Sequence, residues 1–200
     1  MEGLVMFWLG WTAWVVVTFL VPKTSNRYGF ALFILLFIIF YSININMLSG
    51  SINLGFIWLT VSCYWFFHRQ TKRNLISSFF WVWVITAIYA GFTLWSIFDP
   101  IILIANKEWM VAGLLYVVSS LLIKSTYVRL IAVTLGIMHG ELLLNLVLSK
   151  IWGTYEVGSG LFFDGLAASL LILFVHLLLQ NTLRFLRRLT ENSSQATQSL

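Results

Sequence analysis

The sequence predicts an all-α fold: a polytopic bundle of seven transmembrane helices, N-terminus outside and C-terminus inside. Three observations lead there. Of 200 residues, 60% are hydrophobic and only 10% are charged, whereas a soluble domain carries about 25% charged residues. The mean hydropathy is +0.92. The apolar residues gather in long continuous runs, near the roughly 20 residues a membrane helix needs. The basic residues fall in alternate gaps between those runs, as the positive-inside rule requires. Continuous runs, rather than alternating ones, also argue against a membrane β-barrel.

Seven segments follow from apolar runs broken by polar punctuation. The first is 4–21. It follows Met1-Glu2-Gly3, which is acidic, and no small-x-small cleavage site comes after it. It is therefore expected to stay as a helix and not to act as a cleaved signal. The second, 28–47, runs into the asparagine-rich stretch "YSININMLSGSINLGF", 41–56, whose asparagines read as polar turn chemistry. The third, 52–67, and the fifth, 109–123, are short for a span and are open to three outcomes: little tilt, local thinning of the bilayer, or failure to span. The fourth, 75–98, and the sixth, 127–148, have full length. The seventh, 161–179, continues into "NTLRFLRRLT". Residues 1–190 form one transmembrane domain, and the polar stretch 191–200, "ENSSQATQSL", is expected to be a disordered cytoplasmic tail.

Charge supports the two short segments more strongly than their hydropathy does. With seven spans, the inner side holds Lys23, Arg27, Arg69, Lys72, Arg73, Lys124, Arg129, Arg184, Arg187 and Arg188. The outer side keeps Lys107 and Lys150, close in sequence to Glu108 and Glu156. Removing one span breaks this alternation from that point on. The net charge of +5 thus has a use at anionic headgroups of the cytoplasmic leaflet, at about 1 kcal/mol per residue. Nucleic acid is not an expected partner. Trp8, Trp11, Trp109 and Trp152 stand near expected outer boundaries, where indoles favour the headgroup level.

Few interior residues can carry chemistry. "TLGIMHGELLLN", 134–145, brings His139 and Glu141 into the sixth segment. They lie about 200° apart around a helix and do not share a face. Glu141 shares its face with Asn145 and Thr134, a polar stripe expected to point into the bundle. Gly136 and Gly140 form a GxxxG spacing for close helix packing. Asp164, near the outer start of the seventh segment, lies at the depth of Asn145. A short connection between the two segments makes Glu141, Asn145, Asp164 and Thr134 a candidate intramembrane polar cluster. It is open to three readings: a network that fixes helix register, a site for a proton, ion or ligand, or a catalytic acid pair. An ionised carboxylate at that depth costs a few kcal/mol or more, so it must meet protein or water or be protonated.

Enzyme signatures are missing. "HGELLLN" is not HExxH, "VGSG" lacks the first glycine of a G-x-S-G nucleophile motif, and no glycine-rich phosphate loop occurs. Cys63 is the single cysteine, which excludes an internal disulfide and a cysteine metal cluster. His139 and His176 stand at different depths and are expected to be packing residues. No catalytic residue, metal or cofactor is expected.

The opening "MEGLVMFWLGWTAWVVVTFLVPK", followed in order by "SIFDP", "HGELLLN" and "YEVGSGLFFDGLA", resembles the YphA-type (SeaA-type) small membrane proteins of Bacillus and its relatives. The resemblance runs to about Gln180. It implies a multi-pass cell-membrane protein associated with endospore formation and spore envelope assembly, in forespore or spore membranes, with other sporulation membrane proteins as partners. It brings no established functional residues. The expected function is a non-enzymatic assembly or scaffold factor. The competing expectation is a small transporter, channel or ligand sensor using the polar cluster.

Overall fold

A computed structural model describes residues 2–47, 50–70 and 75–198. Its seven helices are α1 (Leu4–Val15, continued by a π-helical turn, Val16–Leu20), α2 (Ser25–Tyr41), α3 (Leu54–Gln70), α4 (Leu75–Phe98), α5 (Lys107–Leu122), α6 (Thr126–Trp152) and α7 (Gly160–Gln198). Three short strands accompany them: β1 (Asn44–Met47), β2 (Gly50–Asn53) and β3 (Tyr155–Val157). Lys72 and Arg73, two of the expected inner basic residues, lie outside the described residues.

The core is organised around α6. Every residue from Ile131 to Met138 is buried, so this stretch of the helix is enclosed on all sides and needs no polar face. It packs against α4 and α3, and more lightly against α7 and α5, while α5 lies along α7 and α1 sits between α7 and α2. The outer helices bury one side and expose large apolar residues on the other, among them Phe19, Leu32, Trp65, Phe80, Trp95 and Leu121. Such a surface suits hydrocarbon rather than water.

Successive helices alternate in direction between two ends of the bundle. At one end the start of α1 meets the start of α7, and the close of α2 meets the start of α1. The three strands sit at this end. At the opposite end, Lys124 lies in the turn between α5 and α6. Among the described residues, three helices are long and apolar enough to cross a membrane by length and composition: Ser78–Phe98, Thr126–Trp152 and Gly160–Arg187. Leu4–Leu20, Asn26–Tyr41 and Leu54–His68 are shorter apolar helices. α5, with 16 residues, reaches about 24 Å at 1.5 Å per residue, less than the roughly 30 Å of a hydrocarbon core.

Two expectations need adjustment. The second segment does not continue helically to 47, because the helix stops at Tyr41 and the asparagine-rich stretch forms a hairpin. In it β1 and β2 pair antiparallel, Asn44 opposite Asn53 and Met47 opposite Gly50. β3, after α6, adds to β2 in parallel, with Gly50 opposite Tyr155 and Ile52 opposite Val157. Asn53 is the hinge of this region. Its Nδ2 donates to the Tyr41 carbonyl at 2.9 Å and to Asn44 Oδ1 at 2.7 Å, and its Oδ1 accepts from the Gly55 amide at 2.8 Å. One side chain thus closes α2, ties the hairpin and starts α3.

Backbone helix in α7 runs to Gln198. No glycine or proline follows Gly165, so nothing in the chain breaks the helix once it has started. The second adjustment is Arg129, expected as an inner-loop charge. It lies in the first turns of α6, only 5% exposed. Its Nε and Nη2 donate to the Ile123 carbonyl at 3.1 and 2.7 Å. The guanidinium therefore caps the last turn of α5, where a cation also opposes the negative end of the helix dipole.

Candidate functional site

α4 and α6 run parallel and nearly touch. A Cβ on Gly136 would stand 2.5 Å from Cγ2 of Ile85, and one on Gly140 would overlap the Tyr89 ring. Only glycine permits this approach. It brings Thr86 Oγ1 within 3.2 Å of the Gly136 carbonyl. One turn further, the Tyr89 hydroxyl donates to Glu141 Oε2 at 3.2 Å.

Glu141 is 5% exposed and is surrounded by donors. Besides Tyr89, it accepts from Asn145 Nδ2 at 3.1 Å and from the backbone of Gly158. Asn145 Nδ2 also donates to the Glu141 carbonyl at 3.0 Å, and its Oδ1 accepts from the Glu156 amide at 3.1 Å. Asn145 thus ties α6 to β3. The turn that delivers Gly158 requires φ +78°, and α6 is closed by Gly153 at φ +74°, values that side chains with a Cβ rarely adopt.

Asp164 bonds elsewhere. It accepts from the backbone amides of Gly3 at 2.7 Å, Val5 at 2.9 Å and Met6 at 3.2 Å. The first turn of α1 has no local side-chain cap, so a carboxylate from α7 supplies one across the chain. Tyr41 donates to the Gly3 carbonyl at 2.8 Å and completes this joint of α1, α2 and α7. Thr134 is buried on the same side of α6 as Glu141 but donates to the Leu130 carbonyl at 2.8 Å. Of the expected cluster, the structure joins Glu141 and Asn145 and places Asp164 and Thr134 in separate bonds.

The histidines of α6 and α7 are also engaged. His139 pairs with the Tyr64 hydroxyl through Nε2 and lies 2.7 Å from the Leu135 carbonyl through Nδ1. His176 pairs with the Tyr116 hydroxyl at 2.9 Å and with Gln180 at 2.7 Å. Each links two helices. Among the described residues, no group of three or more side chains is arranged to hold a metal ion.

Beside Glu141 a cavity of about 360 Å³ opens between α4, α5, α6 and the start of α7. Tyr89, Thr93, Lys107, Glu108, Asn145 and Glu156 contribute its polar wall. A smaller adjoining cavity of about 200 Å³ includes Asp164 and shares Glu108 and Leu161 with the first. The expected neighbours are therefore near one another in space but separated by the start of α5. At that start, before the apolar run of α5, burial pushes the Lys107 ammonium below the ordinary lysine range, while Glu108 and then Glu141 oppose the shift.

Tyr89, Thr93 and Gly158 were not legible as site residues. Tyr89 and Thr93 are four apart in an apolar helix, a spacing that shares a face, but only the packing of α4 on α6 shows which face. Gly158 sits in a turn whose aim depends on β3.

Seven helices with apolar outer faces and a polar chamber at one end define a helical integral membrane protein. The chain belongs to the family of YphA-like integral membrane proteins, whose family model matches residues 2–199. It is 28% identical over 178 residues, 87% of this chain and 86% of the relative, to the uncharacterized protein YphA of Bacillus subtilis (strain 168). No solved structure matches the chain significantly.

Proposed function

We propose that this protein is a non-enzymatic multi-pass membrane factor that acts in assembly of the spore envelope, with the sheet end of the bundle outside and the basic end in the cytoplasm. The observation that carries this assignment is the commitment of its interior polar groups to helix joints. Asp164 caps α1, His139 binds α3 through Tyr64, His176 binds α5 through Tyr116, and Glu141 binds α4 and the segment after β3. Groups spent on register favour a rigid scaffold over a reacting centre. The link to the spore envelope and to sporulation partners comes from the resemblance of the opening and later motifs to YphA-type proteins. The test is deletion in an endospore-forming host, scored by the yield of lysozyme-resistant spores, with complementation by Glu141→Gln. Reduced yield restored by that variant is the expected result. Normal spores after deletion would refute the assembly role. A second function, ligand sensing, is favoured by the cavity beside Glu141, which a scaffold alone does not require.

A further inference from the structure

Among the described residues, two buried helical hydroxyls lack a partner, Thr18 in the π-helical turn and Thr93 in α4, and of these Thr93 lines a cavity. On the same helix, Thr86 donates to the Val82 carbonyl at 2.9 Å and Ser96 to the Thr93 carbonyl at 2.7 Å. Thr60, Ser62, Thr134, Ser169 and Thr182 close similar bonds within their own helices. Thr93 is 2% exposed, yet its Oγ1 has no hydrogen-bond partner. It lines the cavity of about 360 Å³. A buried hydroxyl without a partner is costly, and natural proteins rarely retain one without a use.

The charge around it is one-sided. Glu108, Glu141 and Glu156 line the cavity against a single cation, Lys107. Val111 and Phe162 supply apolar wall. The volume exceeds what one bare metal ion fills and matches a small organic molecule. An anion would meet three carboxylates. A primary ammonium group brings three N–H donors, enough for a hydroxyl oxygen and two carboxylates at once, with its carbon chain against the apolar wall.

We propose that this cavity binds a primary ammonium group, held by Thr93 Oγ1 with the carboxylates of Glu108 and Glu141. The ammonium belongs either to a free small amine or to an ethanolamine-headgroup lipid, since the chamber lies at the sheet end of the bundle where headgroups reside. The inference deepens the ligand-sensing function and rests on it.

The experiment uses the full chain in phosphatidylglycerol nanodiscs, with n-butylammonium, tetramethylammonium and butyrate as probes and thermal melting as the readout. n-Butylammonium is expected to raise the melting temperature saturably. Tetramethylammonium has no N–H donor and is expected not to. Thr93→Val is expected to weaken butylammonium binding about tenfold or more, the size of one charge-assisted hydrogen bond. Without probe, the variant melts at the wild-type temperature or above, because the lost hydroxyl had no partner. Glu108→Gln, in the first turn of α5, is a second variant expected to weaken the same binding. Equal effects of the two ammonium probes, or equal affinity in wild type and Thr93→Val, would overturn the proposal. Thr93-dependent binding of butyrate alone would overturn the ammonium inference and leave ligand sensing standing. Response to no probe and to no lipid would overturn both. Adding ethanolamine-headgroup lipid distinguishes the sources. A Thr93-dependent rise in melting temperature assigns the lipid, and no rise alongside butylammonium binding assigns the free amine.

Discussion

Asp164→Ala removes the acceptor for three amides at the start of α1, and the structure sets the size of the effect. The Val5 bond is exposed, so water or headgroups replace it at little cost. The Gly3 bond is short and partly buried at 2.7 Å, and its charged acceptor makes it worth about 1.5–2 kcal/mol. The Met6 bond is longer at 3.2 Å, and about 0.5–1 kcal/mol is reasonable for it. Together they predict a loss of about 2–3 kcal/mol in docking of α1, slightly above an ordinary helix cap. That corresponds to about 30- to 140-fold in the equilibrium between docked and undocked α1. Hydrogen exchange at the Gly3 and Met6 amides, measured in nanodiscs, should accelerate by that factor while α6 stays protected. Asp164→Asn keeps one acceptor oxygen and should show a smaller effect, about 1 kcal/mol. Unchanged exchange at Gly3 and Met6 in the alanine variant would refute the capping role. Equal acceleration through α6 would refute its local character.

Glu141→Leu should lower stability by about 1–3 kcal/mol, because the Tyr89, Asn145 and Gly158 donors lose their shared acceptor inside the bundle. Glu141→Gln should melt much closer to wild type, and identical melting of the two variants would sink the network. Gly136→Ala and Gly140→Ala should each cost about 1–3 kcal/mol by forcing α4 away from α6. Gly91→Ala and Gly113→Ala, where an added Cβ meets nothing within 4 Å, should be neutral or stabilising by up to about 1 kcal/mol. Urea unfolding of the four variants separates the pairs, and equal losses at all four would remove the close-packing argument. Single cysteines at Lys124 and Gly153 in a Cys63→Ala background should label only from the cytoplasm and only from outside, respectively. Labelling of both from one side would show that α6 does not cross the membrane.

Much of the architecture follows from the sequence by itself. Burial in lipid demands long uninterrupted apolar runs whose backbone bonds close within each segment. That constraint is local, so composition and run length exposed the helices and their alternation without knowledge of packing. It also marked α6, because Glu141 and Asn145 four residues apart must share a face, and Gly136 and Gly140 must present another. The hairpin was less legible. Strands bond sideways to distant chain, and the pairing of β2 with β3 joins residues about one hundred positions apart in sequence, which no local period records. The sequence placed Asp164 at the depth of Asn145 but could not choose its partner. The choice came from α1, which packs on α7 and offers unpaired amides within reach of the carboxylate. Thr93 illustrates the same divide. Its spacing from Tyr89 is in the sequence, whereas its unpartnered hydroxyl and the chamber it faces exist only where four helices meet. Hydropathy is a property of each segment, but a cavity and a hydrogen-bond partner are properties of how segments are arranged, and only the tertiary structure decides those.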